Sequence, residues 1–225
     1  MPLRIDNGIP ITPADAGPQP LAFGPQTPGA ESMPAAPVSL AGPHELEIEP
    51  VKQRHAMWCW AACVEMVLKY YERHEEQCAI VAEKRRLEGL QAQTVCGDEQ
   101  RFGQEGCHKR RVDDVWRAFN IQSPETPDDQ PAGVVGFDKI KEEIDVHKRP
   151  VEVALRWNEE IGGGGHVVLI KGWAEVDGKD VVILNDPLAS GRLVSGHEGR
   201  LTFQELRSAF GNGSWKHTWT NLKPE

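Results

Sequence analysis

The stretch Gln53-Arg-His-Ala-Met-Trp-Cys59-Trp-Ala-Ala-Cys63 opens a run that reaches Tyr71 without a Gly or Pro. Ala62, Met66 and Tyr70 recur at helical spacing, with Cys63, Val67 and Tyr71 beside them. That pattern predicts a mostly buried helix over residues 58–71. Cys59 stands in its first turn. A helix start carries about half a positive charge and amide hydrogens that lack intrahelical acceptors. Such a place favours a thiolate over a thiol, so Cys59 is a candidate nucleophile. Cys63, one turn on in the apolar stripe, reads instead as a core thiol. His55 reads as a surface or cleft-wall residue rather than a base. Trp58 and Trp60 read either as walls of a cleft or as core.

Downstream, helices are expected over about 77–88 and 111–119, with a glycine-bearing loop at 89–110 between them. A Pro- and Asp-rich segment at 121–135 separates this half from the rest. A further helix over 137–147 places Phe137, Ile140, Ile144 and His147 on one face. The period then changes. Val151–Trp157 alternates after Pro150, as a strand should. Gly162–Gly165 break the chain, and His166–Val176 forms another strand. Asp177-Gly178 is a hairpin turn signal, and Asp180–Asn185 returns antiparallel until Asp186-Pro187 stops it. A short strand near 192–194, a helix opened by the capping box Thr202-Phe-Gln-Glu205 and a strand at 215–219 complete the chain. Helices first and antiparallel strands afterwards make an α+β domain.

The antiparallel hairpin has a chemical consequence. Its second strand ends beside the start of the first, which brings Asn185 and Asp186 to His166. A base must lie beside a thiol nucleophile, and a third group must orient the base. His166 is the candidate base, fixed at the start of a strand after four permissive glycines. The candidate orienting groups are Asp186 and Asn185. Pro187 holds Asp186 extended, so the two side chains point to opposite faces and only one can meet His166. Gln53, six residues before the thiol, could donate its amide to an oxyanion together with the Cys59 backbone N–H.

Composition bounds the remaining possibilities. The first fifty residues hold eleven of the seventeen prolines, and their only Lys or Arg is Arg4. Residues 1–46 therefore read as a Pro-rich, disordered or extended leader, and 47–225 as one folded domain. A net charge of −9 and only short basic runs (Lys84–Arg86, Lys109–Arg111) argue against a nucleic-acid partner. No apolar run approaches the ~20 residues of a membrane span, and no secretory signal peptide is legible. Five cysteines suggest one reactive thiol plus at most two disulfides among Cys63, Cys78, Cys96 and Cys107. A zinc site at Cys96, Cys107 and His108 lacks the close Cys-x-x-Cys spacing of structural zinc. The proposed chemistry requires no metal and no cofactor.

The order Gln53-x5-Cys59-Trp60-Ala61-Ala62, Gly165-His166-Val167-Val168, Asn185-Asp186-Pro187 resembles the papain-like cysteine peptidase superfamily. It is closest to the bacterial avirulence-effector and bacteriocin-leader-processing types, and Phe137-x2-Ile140-x3-Ile144 with Arg149-Pro150-Val151 is also similar to those branches. The resemblance spans about residues 48–222. It implies a helical half and an antiparallel sheet half with the active-site cleft between them. It also implies a cysteine endopeptidase using a Cys59-His166-Asp186 triad and a thioester acyl-enzyme on a protein or peptide substrate. The Asp-Pro pair favours Asp186 over Asn185. The Gly-Ser-Cys-Trp and Asn-Ser-Trp blocks of plant enzymes are absent. Acyl transfer or deamidation by the same groups, or an inactive binding module of the same fold, are the alternatives. The leader and the extra cysteines fit a bacterial effector or toxin secreted without a signal peptide, with a cytoplasmic maturation enzyme as the alternative.

Overall fold

A computed structural model describes residues 44–106, 109–122, 133–188 and 199–225. The leader up to residue 43, the strand expected near 192–194, and Cys107 and His108 lie outside the described residues. Among the described residues the first element is β1 (His44–Glu45), followed by a helical half: α1 (Cys59–Tyr70), α2 (Gln77–Leu87), α3 (Glu99–Phe102) and α4 (Lys109–Ala118). β2 (Ile121–Gln122) and α5 (Phe137–Lys141) follow. The sheet half holds β3 (Val151–Trp157), β4 (Gly165–Val176), β5 (Lys179–Asn185), β6 (Arg200–Thr202) and, after α6 (Phe203–Arg207), β7 (Gly213–Trp219); β8 (Lys223–Pro224) ends it. The fold is α+β.

The sheet runs β6-β5-β4-β3-β7, and every pairing in it is antiparallel. β1 joins β4 at Gly172 and Trp173, just past Ile170, where the β3 pairing ends. Residues 44–46, which composition assigns to the leader, thus belong to the folded domain. Leu46 extends the contact by donating its N–H to the Lys171 carbonyl at 2.8 Å. Gly172 permits this approach, since a Cβ there would lie 2.5 Å from the His44 carbonyl oxygen. β2 pairs with β8 in a separate ribbon, which ties the C-terminus to the helical half.

α1 is hydrophobic all round, and ten of its twelve residues are buried. Such a helix must be wrapped on every side. Its one buried charge, Glu65, is met by Lys69 at 2.7 Å and by the Gln77 amide at 2.9 Å. The capping box at Thr202 is formed, with Glu205 N–H on the Thr202 hydroxyl and the Glu205 carboxylate on the Thr202 N–H.

Three local expectations change. Residues 89–110 contain a 3-10 turn at Val95–Gly97 and α3, pinned to α2 by a Cys78–Cys96 disulfide. The expected helix over 137–147 is α5 followed by a π turn, Glu142–Val146. The wider turn moves His147 off the apolar face and buries Glu143 instead. Lys139 pairs with that carboxylate at 3.0 Å. Finally, β3 does not alternate between core and solvent: Val151, Glu152 and Val153 are all buried. A central strand covered on both faces has no exposed side to be polar.

Candidate active site

The helical and sheet halves meet at a cavity of roughly 530 Å³, where the start of α1 faces the ends of β3, β4 and β7. Cys59 and Trp60 border it from α1, and Leu155, Arg156, Gly165, His166 and Lys216 from the strands.

Gly162, Gly163 and Gly164 take φ of +99°, +63° and +89°. Three successive left-handed residues are tolerable only without a Cβ, which is the physical reason for the glycine run. The turn delivers His166 to the cavity, opposite Leu155 on β3. Its ring is almost buried and lies parallel to Trp157, 6.3 Å between centroids.

His166 Nε2 is 2.7 Å from Asp186 Oδ1. That same oxygen accepts the Leu188 N–H at 2.9 Å, so the carboxylate is held from behind. Asn185 points away, donating its amide to the Ile48 carbonyl at 2.9 Å. The opposite facing of the two neighbours follows from strand alternation. With Nε2 taken, Nδ1 is the ring nitrogen left for the Cys59 thiol, which borders the same cavity. Burial pulls the imidazole pKa down, but the bonds to Asp186 and Cys59 outweigh it and push His166 up to about 9. The ring therefore favours the imidazolium form at neutral pH.

Gln53 stands on the loop ahead of the thiol and reaches the turn that follows Asp186. Its N–H donates to the Pro187 carbonyl at 2.8 Å. Both hydrogens of its side-chain amide are committed, to the carbonyls of His55 and Ala56, each at 2.8 Å. Gln53 thus folds the loop ahead of the thiol and links it to the Asp186 turn. A residue that sequence reasoning passed over fixes this loop. Gln77, the first residue of α2, accepts the Arg54 N–H at 2.8 Å and donates to the Lys52 carbonyl at 2.9 Å and to Glu65. It clasps the backbone on both sides of Gln53. Only its position at a helix start marked it in the sequence.

His55 is not a rival base. Its Nε2 lies 3.3 Å from Glu99 Oε2, its ring packs edge-on against Trp58, and it does not border the cavity. Trp58 and Trp60 are fully buried and donate to the carbonyls of Phe102 and Glu105, so they anchor the segment 102–105 to α1. Trp60 is also cavity wall. Cys63 has no exposure and sits 3.6 Å from the Val167 carbonyl. Burial pushes its thiol well up, which keeps it neutral.

Glu152 was also missed, because alternation placed it on a solvent face. It is fully buried, with Oε2 accepting the Trp116 indole N–H at 3.1 Å. Its Oε1 has no partner among the described residues. Burial pushes its carboxyl well above the usual range, which favours the neutral acid.

The arrangement is that of a papain-like cysteine peptidase, a hydrolase. The chain belongs to the Peptidase_C39 like family, whose model matches residues 45–218. No curated protein sequence matches it. Among solved structures it is similar to the peptidase domain of Streptococcus ComA, a bi-functional ABC transporter involved in a quorum sensing pathway. That likeness has 15% identity and a TM-score of 0.48, covering 81% of this chain and 99% of the other. A double glycine motif protease from an AMS/PCAT transporter, solved with its leader peptide, is similar at 20% identity and a TM-score of 0.43, with 80% and 94% covered.

Proposed function

We propose that Cys59, His166 and Asp186 act as a catalytic triad that hydrolyses peptide bonds through a thioester acyl-enzyme. The observation that carries this reading is that the imidazole held 2.7 Å from the Asp186 carboxylate borders the same cavity as the Cys59 thiol. Cys59 Sγ attacks the scissile carbonyl as a thiolate paired with imidazolium His166. His166 then gives its Nδ1 proton to the departing amine. The neutral ring next takes a proton from water, and the hydroxide attacks the thioester to release the acid and restore the thiol. Asp186 keeps the ring oriented and stabilises its positive form.

The developing oxyanion is met by the backbone N–H of Cys59, whose place in the first helical turn leaves it without an intrahelical acceptor. Gln53 serves as a second donor by exchanging one of its two carbonyl partners for the oxyanion. The test is selective alkylation. Iodoacetamide or an epoxysuccinyl probe at about pH 6 should label Cys59 ahead of Cys63, and His166→Ala should abolish the preference. Equal labelling of both thiols, or labelling indifferent to His166, contradicts the triad.

We also propose that the protein acts in an oxidising compartment, as an exported effector or toxin. The Cys78–Cys96 disulfide supports this, since cytosolic thiols are kept reduced. Protein recovered from its native host and trapped with acid and alkylating agent should carry that pair oxidised. Recovery of both as thiols counts against export.

A further inference from the structure

The wall of the cavity carries a charge pattern that the triad chemistry does not need. β3 and β7 pair with Ala154 opposite His217 and with Leu155 opposite Trp215. Lys216 is therefore the extra residue of a β-bulge. A bulge interrupts the ladder and re-aims a side chain, and bulges gather beside active sites. Lys216 borders the same cavity as Cys59 and His166, and so does Arg156 on the adjoining strand. No Asp or Glu lines that cavity among the described residues, although the chain has 34 acidic residues against 25 Lys and Arg.

Apart from the Cys59, His166 and Asp186 group, the charged side chains on this wall are the two cations Arg156 and Lys216. Arg156 shares its charge with Glu159 at 2.8 Å, but both side chains are largely exposed. A pair of that kind is weak and exchanges readily for another carboxylate. Lys216 has no ion-pair partner among the described residues. Two cations beside apolar walls such as Met57, Trp60 and Leu155 act more strongly on whatever enters the cleft than they would in open water.

We infer that Lys216 and Arg156 form an acidic-residue subsite, so that the preferred substrate carries Asp or Glu within a few residues of the scissile bond. This rests on the peptidase reading above and specifies its substrate class. The bulge accounts for the subsite in structural terms, because regular pairing would have no extra residue to turn toward the cleft.

The test is digestion of a charge-balanced peptide library, with cleavage sites read by mass spectrometry and iodoacetamide labelling of Cys59 run in parallel. Wild-type protein should select Asp or Glu over Lys or Arg about fivefold at one or two positions, as for an exposed ion pair. The preference should shrink in about 0.5 M NaCl, weaken in Lys216→Gln and vanish when Arg156→Gln is added to it. Cleavage without acidic bias, or a bias that survives both substitutions, overturns the inference. So does an absence of cleavage from protein whose Cys59 is labelled in a His166-dependent way. Loss of that labelling itself defeats the triad reading, and the subsite falls with it.

Discussion

The two sides of the cleft are held in place by different means. His166 and Asp186 sit on one hairpin, and their meeting follows from antiparallel register and side-chain alternation across 20 residues of separation. Cys59 and Gln53 sit on a helix start and a loop whose position depends on distant groups. Gln77, itself held by Glu65, clasps the loop, and Glu99 reaches Arg54 and His55. Phe102 and Glu105 receive the indoles of Trp58 and Trp60. One side is a backbone device and the other a side-chain web. The first should fail only when its own residues change, while the second should be sensitive to substitutions far from the chemistry.

The largest effect should come from the hairpin. Asp186→Asn should lower kcat by about 10²- to 10⁴-fold, because the ring loses the group that orients it and stabilises its charge. Asn185→Ala should keep most of the rate, since that side chain serves the Ile48 carbonyl. Equal losses in the two variants would erase the distinction between the neighbours.

Next in size is Gln77→Ala, which removes three hydrogen bonds made by a buried amide. It should reduce kcat roughly tenfold and cost ~1–3 kcal/mol of stability through the buried groups left unpaired. The expected signature is a kcat loss larger than any change in KM, read from initial rates, with the His166 titration unmoved. A shift of that titration would mean that the two sides are not independent.

Smaller effects should appear in the pH dependence of stability. His166 is raised from about 6.5 to about 9 by folding. Its contribution is full below the unfolded value and is lost as pH rises through the folded one. Glu152 acts in the same direction. An acid held neutral in the fold is penalised once the unfolded chain can ionise, so stability falls above the ordinary carboxyl range. Asp113 on α4 and Cys59 on α1 add to the cost of charge there. Glu152→Gln should keep the Trp116 bond and flatten that part of the curve. Urea melts from about pH 5 to 9 should show a shallower loss than wild type, and parallel curves would mean that Glu152 ionises freely.

The same contrast explains what the sequence made legible. Helices α1, α2 and α4, the β4–β5 hairpin and the Thr202 capping box follow from local periodicity and turn chemistry. Antiparallel pairing brings the end of β5 towards the start of β4, and Asp186 reaches His166 from just beyond the last pair, Leu169–Asn185. The clasp by Gln77 was hidden, because its three partners lie 12, 23 and 25 residues away along the chain and meet it only in the fold. Glu152 was hidden for another reason: alternation cannot distinguish a solvent face from a face covered by helices. The π turn that displaces His147 and the short strand at His44–Glu45 likewise depend on tertiary contacts, with Glu143 and Gly172 respectively.

The most direct measurement is an NMR titration of the His166 ring in the intact protein. The wild-type midpoint should lie near 9, fall in Asp186→Asn and stay in place in Asn185→Ala. A midpoint at or below about 6.5, or one that moves with Asn185 and not with Asp186, would contradict the His166–Asp186 pair on which the triad depends.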